Sequence, residues 1–276
     1  VSWLAVNGWL VWRELLPRLL PGQPPPFAVE LVEEAQTNRP ATTWAVFLDG
    51  GPKEAARIKT QVAHPARGVF ELVSRLTPSP PHSPVSAPGL LLPLGLLETT
   101  YRVNAEGELL GVRAHVEAHV GQHRDGTSYD IEGVVQDGRM TPGLTVTIPG
   151  SLLAGKKLSV RFDTLTDLRG SNLLLPLHPL HHVRGLRPGQ AWDAHLLDPL
   201  AVVRLGPAGV LDTLTPAHAA VGAGSFSRGK QHDVPCWVID YEGVDRTVRV
   251  WVRRKDDKVL CQEATLGKTR WAIYRD

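Results

Sequence analysis

Cysteine is almost missing from this chain: there are two in 276 residues, Cys236 and Cys261, beside a single methionine. A chain of this length buries about three quarters of its unfolded surface and needs no crosslinks or metals to hold a core. Two thiols also exclude a disulfide-framed scaffold. Clustered charge is missing too. The 30 Lys and Arg nearly balance 28 Asp and Glu, leaving +2, and no run of five like charges occurs. Phosphate backbones are gripped by grouped cations, so nucleic acid is not an expected partner. Long apolar runs are lacking as well: the opening VSWLAVNGWLVW ends at Arg13 and Glu14, short of the ~20 residues that a spanning helix takes.

That opening admits two readings, the tail of a signal-anchor helix or a short amphipathic helix docked on the domain. Trp3, Trp9 and Trp12 crowd it, as aromatic residues do at a membrane boundary, and a Pro-rich spacer follows at residues 17–26. The anchor reading is adopted here. Residues 1–26 are expected to be a truncated membrane anchor and spacer, and residues 27–276 a single domain held on the periplasmic side of the cell envelope. With 42% hydrophobic and 21% charged residues, that domain has a globular composition.

Alternation is what the chain has in abundance. In VRVWVRRKDDKVLCQEA, residues 248–264, Val248, Val250 and Val252 alternate with Arg249, Trp251 and Arg253 ahead of a polar Lys-Asp-Asp-Lys turn and a second alternating run. That is a β-hairpin. With CWVIDYE before it, the stretch predicts a three-stranded meander that sets Cys236 and Cys261 about 10 Å apart, across two strand spacings. A disulfide needs Cα atoms within about 7 Å, so two free thiols are expected. Further upstream, Leu110, Val112, Ala114, Val116, Ala118 and Val120 mark the core face of one strand, with Arg113, His115, Glu117 and His119 on the other. Pro recurs five times in residues 77–89, which no strand interior accepts. About ten strands are expected and few helices, and parallel crossovers would need helical segments that are largely lacking. The fold class expected is mainly β (α+β): a strongly curved antiparallel sheet, a half-barrel, with a few short helices.

Chemical motifs come close and fail. GSFSRGKQ, residues 224–231, has Gln231 where a phosphate loop needs a hydroxyl, and a strand follows in place of a helix. HVEAH, residues 115–119, mimics a zinc motif, yet in a strand His115 and His119 stand about 13 Å apart. His178, His181, His182 and His195 gather in Leu- and Pro-rich text that could bend imidazoles onto zinc. Without an acid or Cys in the cluster, an exposed His-rich loop is expected instead. Neither Ser151 nor Ser225 sits in a nucleophile elbow. No catalytic residue, metal ligand or cofactor is assigned.

WAVFLDG at 44–50, YRVNAEGELLGVRAHVE at 101–117, GLRPGQAW at 185–192, the DPL at 198–200 and the closing CWVIDYEG…VRVWVRRKDDKVLCQEATLG together resemble envelope proteins of planctomycete-type bacteria. Those look related to the lipoprotein-carrier-like fold of the LolA/LolB kind, a curved antiparallel sheet around a few short helices. The resemblance implies one apolar, cupped face. A half-closed sheet leaves a concavity to be filled by its own side chains or by a ligand, with Leu-rich segments at 90–97 and 173–180 as plugs. The expected function is a non-catalytic envelope module that binds an apolar or lipid-like ligand, or a protein partner, near a membrane. Trp44, Leu92, Leu175, Trp192 and Trp251 are the candidate ligand contacts. A hydrolase or zinc protein built on the His-rich loop at 178–195, and a purely structural interaction domain, are the alternatives.

Overall fold

The computed structural model describes Trp3, Val85, Ala201 and residues 41–80, 93–104, 108–118, 127–137, 139–147, 157–161, 166–167, 172–198, 214–229 and 231–276. Apart from Trp3, which is exposed, the expected anchor and spacer lie outside these residues, as does Leu92. Among the described residues no helix is long and apolar enough to cross a membrane.

The described residues form one sheet of sixteen strands. In order they are β1 (Thr42–Leu48), β2 (Ala56–Ala66), β3 (Val69–Pro78), β4 (Leu94–Asn104), β5 (Leu109–Ala118), β6 (Thr127–Gln136), β7 (Arg139–Thr147) and β8 (Lys157–Arg161). Two short strands follow, β9 (Thr166–Asp167) and β10 (Asn172–Leu174). The series ends with β11 (Ala191–Leu197), β12 (Leu214–Arg228), β13 (Gln231–Gly243), β14 (Arg246–Arg253), β15 (Val259–Leu266) and β16 (Thr269–Arg275). The spatial order is β10-β11-β12-β13-β14-β15-β16-β1-β2-β3-β4-β5-β6-β7-β8, with β9 pairing to β7. Two sequential meanders thus meet where β16 pairs with β1, and the sheet stays open between β8 and β10. Every pairing is antiparallel except that of β10 with β11.

The antiparallel sheet agrees with the alternation in the sequence. The few short helices do not appear: among the described residues helix is confined to Trp3 and Ala201. The strand number exceeds the expectation because short strands also form in the Leu- and Pro-rich region between 151 and 190, where alternation is too brief to register.

The predicted three-stranded meander is present, and β14 separates Cys236 on β13 from Cys261 on β15. Both thiols are free and buried. The turn from β1 to β2 places Asp49 and Gly50 at φ 49° and 72°, the left-handed region that Gly and, less readily, Asp adopt. Asp49 then clamps this turn to β16, accepting the Arg270 amide on its carboxylate at 2.9 Å.

One side of the sheet is the core. Trp44, Val46 and Ile58 from the centre share a single apolar cluster with Ala114, Val116 and Ile131 from one arm and Trp192, Ala217, Ile239 and Val250 from the other. A second cluster joins Leu72, Tyr101 and Val112 to Leu197 and Leu214. Each cluster draws residues from both arms, so the sheet curves about its inner face.

One expected core position is displaced. Val112, Ala114, Val116 and Ala118 are buried, but Leu110 is exposed and Leu109 is buried in its place. The register shifts between Arg102 and Val103 on β4. A bulge of this kind adds one residue, so the side chains beyond it change faces.

Candidate functional site

The inner face carries an unusual passenger. Residues 175–190 connect β10 to its parallel neighbour β11, and a parallel connection must cross a face of the sheet. This one runs over the inner face as an irregular strap stiffened by Pro176, Pro179 and Pro188. Leu175, Leu177, Val183 and Leu186 are buried beneath it. A strap without regular structure must find partners for its buried backbone groups elsewhere, and the sheet supplies them.

Gln262 on β15, 1% exposed, donates its amide to the carbonyls of Leu175 at 3.0 Å and Pro176 at 2.6 Å. The Arg275 guanidinium on β16 donates to the His181 carbonyl at 3.0 Å. Further along, the Val183 amide is given to Asp257 and the Val259 amide to His181. Those two bonds flank an isolated antiparallel bridge between His182 and Lys258.

Three imidazoles travel with the strap into the core. His178, His181 and His182 are all buried, which corrects the expectation of an exposed His-rich loop. Leu177 and Leu175 pull the segment inward, and hydroxyls waiting on the sheet accommodate the rings. The Thr60 hydroxyl on β2 lies 2.8 Å from His181 Nε2, and that of Thr42 on β1 lies 3.4 Å from Nδ1. Trp44 donates its indole N–H to the same Thr60 oxygen at 2.9 Å. The His178 and Tyr101 rings lie nearly perpendicular, 81° between planes, at a centroid distance of 6.0 Å. Its Nδ1 has no hydrogen-bond partner among the described residues. Burial pulls the His178 pKa down to about 3, and the charge of a protonated His181 works in the same direction. His195 lies apart, on β11.

The candidate contacts divide between the two faces. Trp44 sits at the centre of the inner face, its ring 6.3 Å from that of His181. Trp192 lies on the same face, edge-on to Tyr241 at 6.0 Å, and Leu175 belongs to the strap itself. Trp251 does not line the cup. Val248, Val250 and Val252 take the inner positions of β14, so strict alternation turns Trp251 outward to Cys261, its partner on β15. There it joins an outer satellite cluster with Phe226 and Tyr274. Gly224 permits this, because a Cβ at that position would stand 2.8 Å from Val238 Cγ2 and 3.2 Å from Trp251 Cζ3. Gln262 and Thr60, which anchor the strap, were not singled out from the sequence. An amide or hydroxyl at an inner position of an otherwise apolar strand was the available signal.

The outer face is mostly polar, with ion pairs such as Arg75–Glu98 at 3.1 Å and Arg113–Glu132 at 3.2 Å across neighbouring strands. A shallow groove of about 390 Å³ lies over β13 to β16, lined by Asp240, Glu242, Thr247, Arg249, Glu263 and Arg270 among others. Its arginines are matched within it, Arg249 to Asp240 and Arg270 to Glu263. Among the described residues no three His, Cys, Asp or Glu side chains are placed to hold a metal ion.

No protein-family model, curated protein or solved structure matches the chain.

Proposed function

We propose that this chain is a non-catalytic module of the cell envelope that takes up an apolar, lipid-like ligand on the inner face of its sheet when the strap yields its place. One observation carries the reading. The inner face is apolar across both arms, yet what crosses it is an irregular segment fastened largely through its own carbonyls and amides. Such fastening is reversible without disturbing the strand ladder.

The energetics match a long acyl chain. Burial of Leu175, Leu177, Val183 and Leu186 is worth roughly 6–12 kcal/mol at about 1.5–3 kcal/mol each, and an acyl chain gains about 0.8 kcal/mol per methylene. A chain of roughly 8–15 methylenes therefore offsets the loss of the strap. A lipoprotein-carrier-like cup of the LolA/LolB kind, held near a membrane by the apolar opening of the sequence, is the frame of this reading. The Trp-rich start and the Pro-rich spacer support that placement.

The bridge between His182 and Lys258 makes the test possible. The two amide bonds flanking it mark a non-hydrogen-bonded pair, whose Cα atoms approach to about 4.5 Å, within the range a disulfide spans. In a His182→Cys/Lys258→Cys protein, a fluorescent acyl lysophosphatidylcholine should bind saturably in the reduced form and be excluded when oxidation locks the strap. Equal binding in both forms, or none in either, would sink the proposal; absence of binding would leave an interaction domain with a self-filled core.

A further inference from the structure

We infer that His178 makes the strap a proton-operated latch: a proton on its buried ring expels the strap from the inner face and opens the site. The inference rests on the ligand-binding reading for its purpose, though not for its test. It starts from the orphan Nδ1, a nitrogen with no hydrogen-bond partner among the described residues. A neutral imidazole tolerates this in one tautomer, where Nδ1 is an idle acceptor. An imidazolium does not, because both nitrogens then carry protons that need acceptors, and a buried charge without a partner is far more costly than a buried neutral group.

Among the described residues nothing accepts a proton placed on Nδ1. From β4 the Tyr101 ring packs against the imidazole with the two ring planes at 81°. Tyr101 is itself buried and is kept protonated, chiefly by burial. The strap contributes His181, whose charge opposes that of His178. The nearby carboxylate, Asp198 at the end of β11, acts on Tyr101 and is engaged 3.9 Å from Arg246 of β14. Around His181, Arg275 of β16 holds its carbonyl, and Lys258, opposite His182, stands 3.7 Å from the Asp256 carboxylate. Asp257, behind that bridge, meets the strap through its backbone carbonyl.

The direction follows from linkage. His178 titrates at about 3 when the strap is closed and returns toward 6.5 once released. The open state therefore binds more protons between those values, and closure weakens as pH falls through that window. With one group responsible, the open-to-closed ratio rises about tenfold per pH unit below 6.5. Above 6.5 the closed strap retains its full stability.

Amide hydrogen exchange on the full chain reads this without any ligand. The Val183 amide, bonded to Asp257, should lose about tenfold protection per pH unit between 6 and 4.5, after correction for intrinsic exchange. The Ile239 and Val250 amides within the sheet should keep theirs. In His178→Leu the Val183 protection should no longer vary with pH. The same slope in wild type and variant, or no slope in wild type, would overturn the latch. Should the variant not fold, the His178 ring resonances of the unaltered protein decide: titration near 6.5 with Val183 still protected is equally fatal. Binding of the acyl lysophosphatidylcholine, run in parallel, separates the two ideas. A pH-dependent Val183 amide in a protein that never takes the probe supports the latch and ends the lipid reading. Probe uptake with a pH-insensitive strap does the reverse.

Discussion

Single side chains decide which surfaces of this sheet are dry. Gln262 is one: a lone amide on the inner face satisfies two strap carbonyls. Gln262→Leu removes that donor and should destabilise the protein by about 1–3 kcal/mol in urea denaturation. Gly224 is another. Gly224→Ala drives a methyl group into Val238 and Trp251 and should cost about 1–3 kcal/mol as an overpacked contact. The thiols give a third test, since burial raises both, Cys261 strongly. Neither should react readily with a thiol reagent in the folded protein, and both should titrate once it is unfolded. At this scale the sequence reported identity but not surroundings. Alternation placed Val248, Val250 and Val252 together correctly, yet it could not say that a bulge moves Leu110 outward. It was equally silent on the hydroxyls of Thr42 and Thr60, which lie far from the histidines along the chain and give His181 a polar niche.

Among elements, the hairpins and the strap behave differently. The turn between β14 and β15 is braced by Arg253, which donates twice to Asp256 at 2.7 Å each. Those bonds come first among the causes that hold the Asp256 carboxyl down at about 2. Because this folded pKa lies below the ordinary 3.8, the brace is present at pH 5 and is lost as pH falls through about 2. The pair is partly exposed, so its contribution should be small and weakened by salt. Asp256→Asn should therefore lower the unfolding midpoint slightly at pH 7 and less at pH 2, where the carboxyl is already half protonated. The strap permits a larger intervention: oxidised His182→Cys/Lys258→Cys should gain about 2–4 kcal/mol over its reduced form, read as a reductant-sensitive shift in the urea midpoint. Hairpins were legible because their period of two and their polar turns are local signals. The strap was legible only in part: its Leu-rich start at 173–180 was expected as a plug, whereas its histidines were expected in solvent, because Pro and His in irregular text look alike whether they lie in solvent or against a sheet. What distinguishes the two is the set of side-chain donors that β15 and β16 bring from more than 80 residues away, 87 in the case of Gln262 and Leu175.

At the scale of the molecule, the order of strands matters more than any one of them. The two meanders are joined by β1 and β16, whose register runs from Trp44 opposite Arg275 to Leu48 opposite Trp271. Removing residues 269–276 should split the sheet at its middle and abolish a single cooperative unfolding transition, seen by circular dichroism in urea. A topology so rich in distant pairings should also refold in milliseconds to seconds, not microseconds. The sequence showed about ten strands of one antiparallel sheet but not this seam, since nothing in either strand marks the other as its mate. The seam has a consequence for how the chain is made. Arg270 and the Asp49 it meets are 221 residues apart, and at about 5–20 residues per second a ribosome needs roughly 10–45 s to cover that interval. For that time β1 waits with one flank bare, a template for any passing segment. A cell that makes this protein has to shelter a half-built wall until its last plank is delivered.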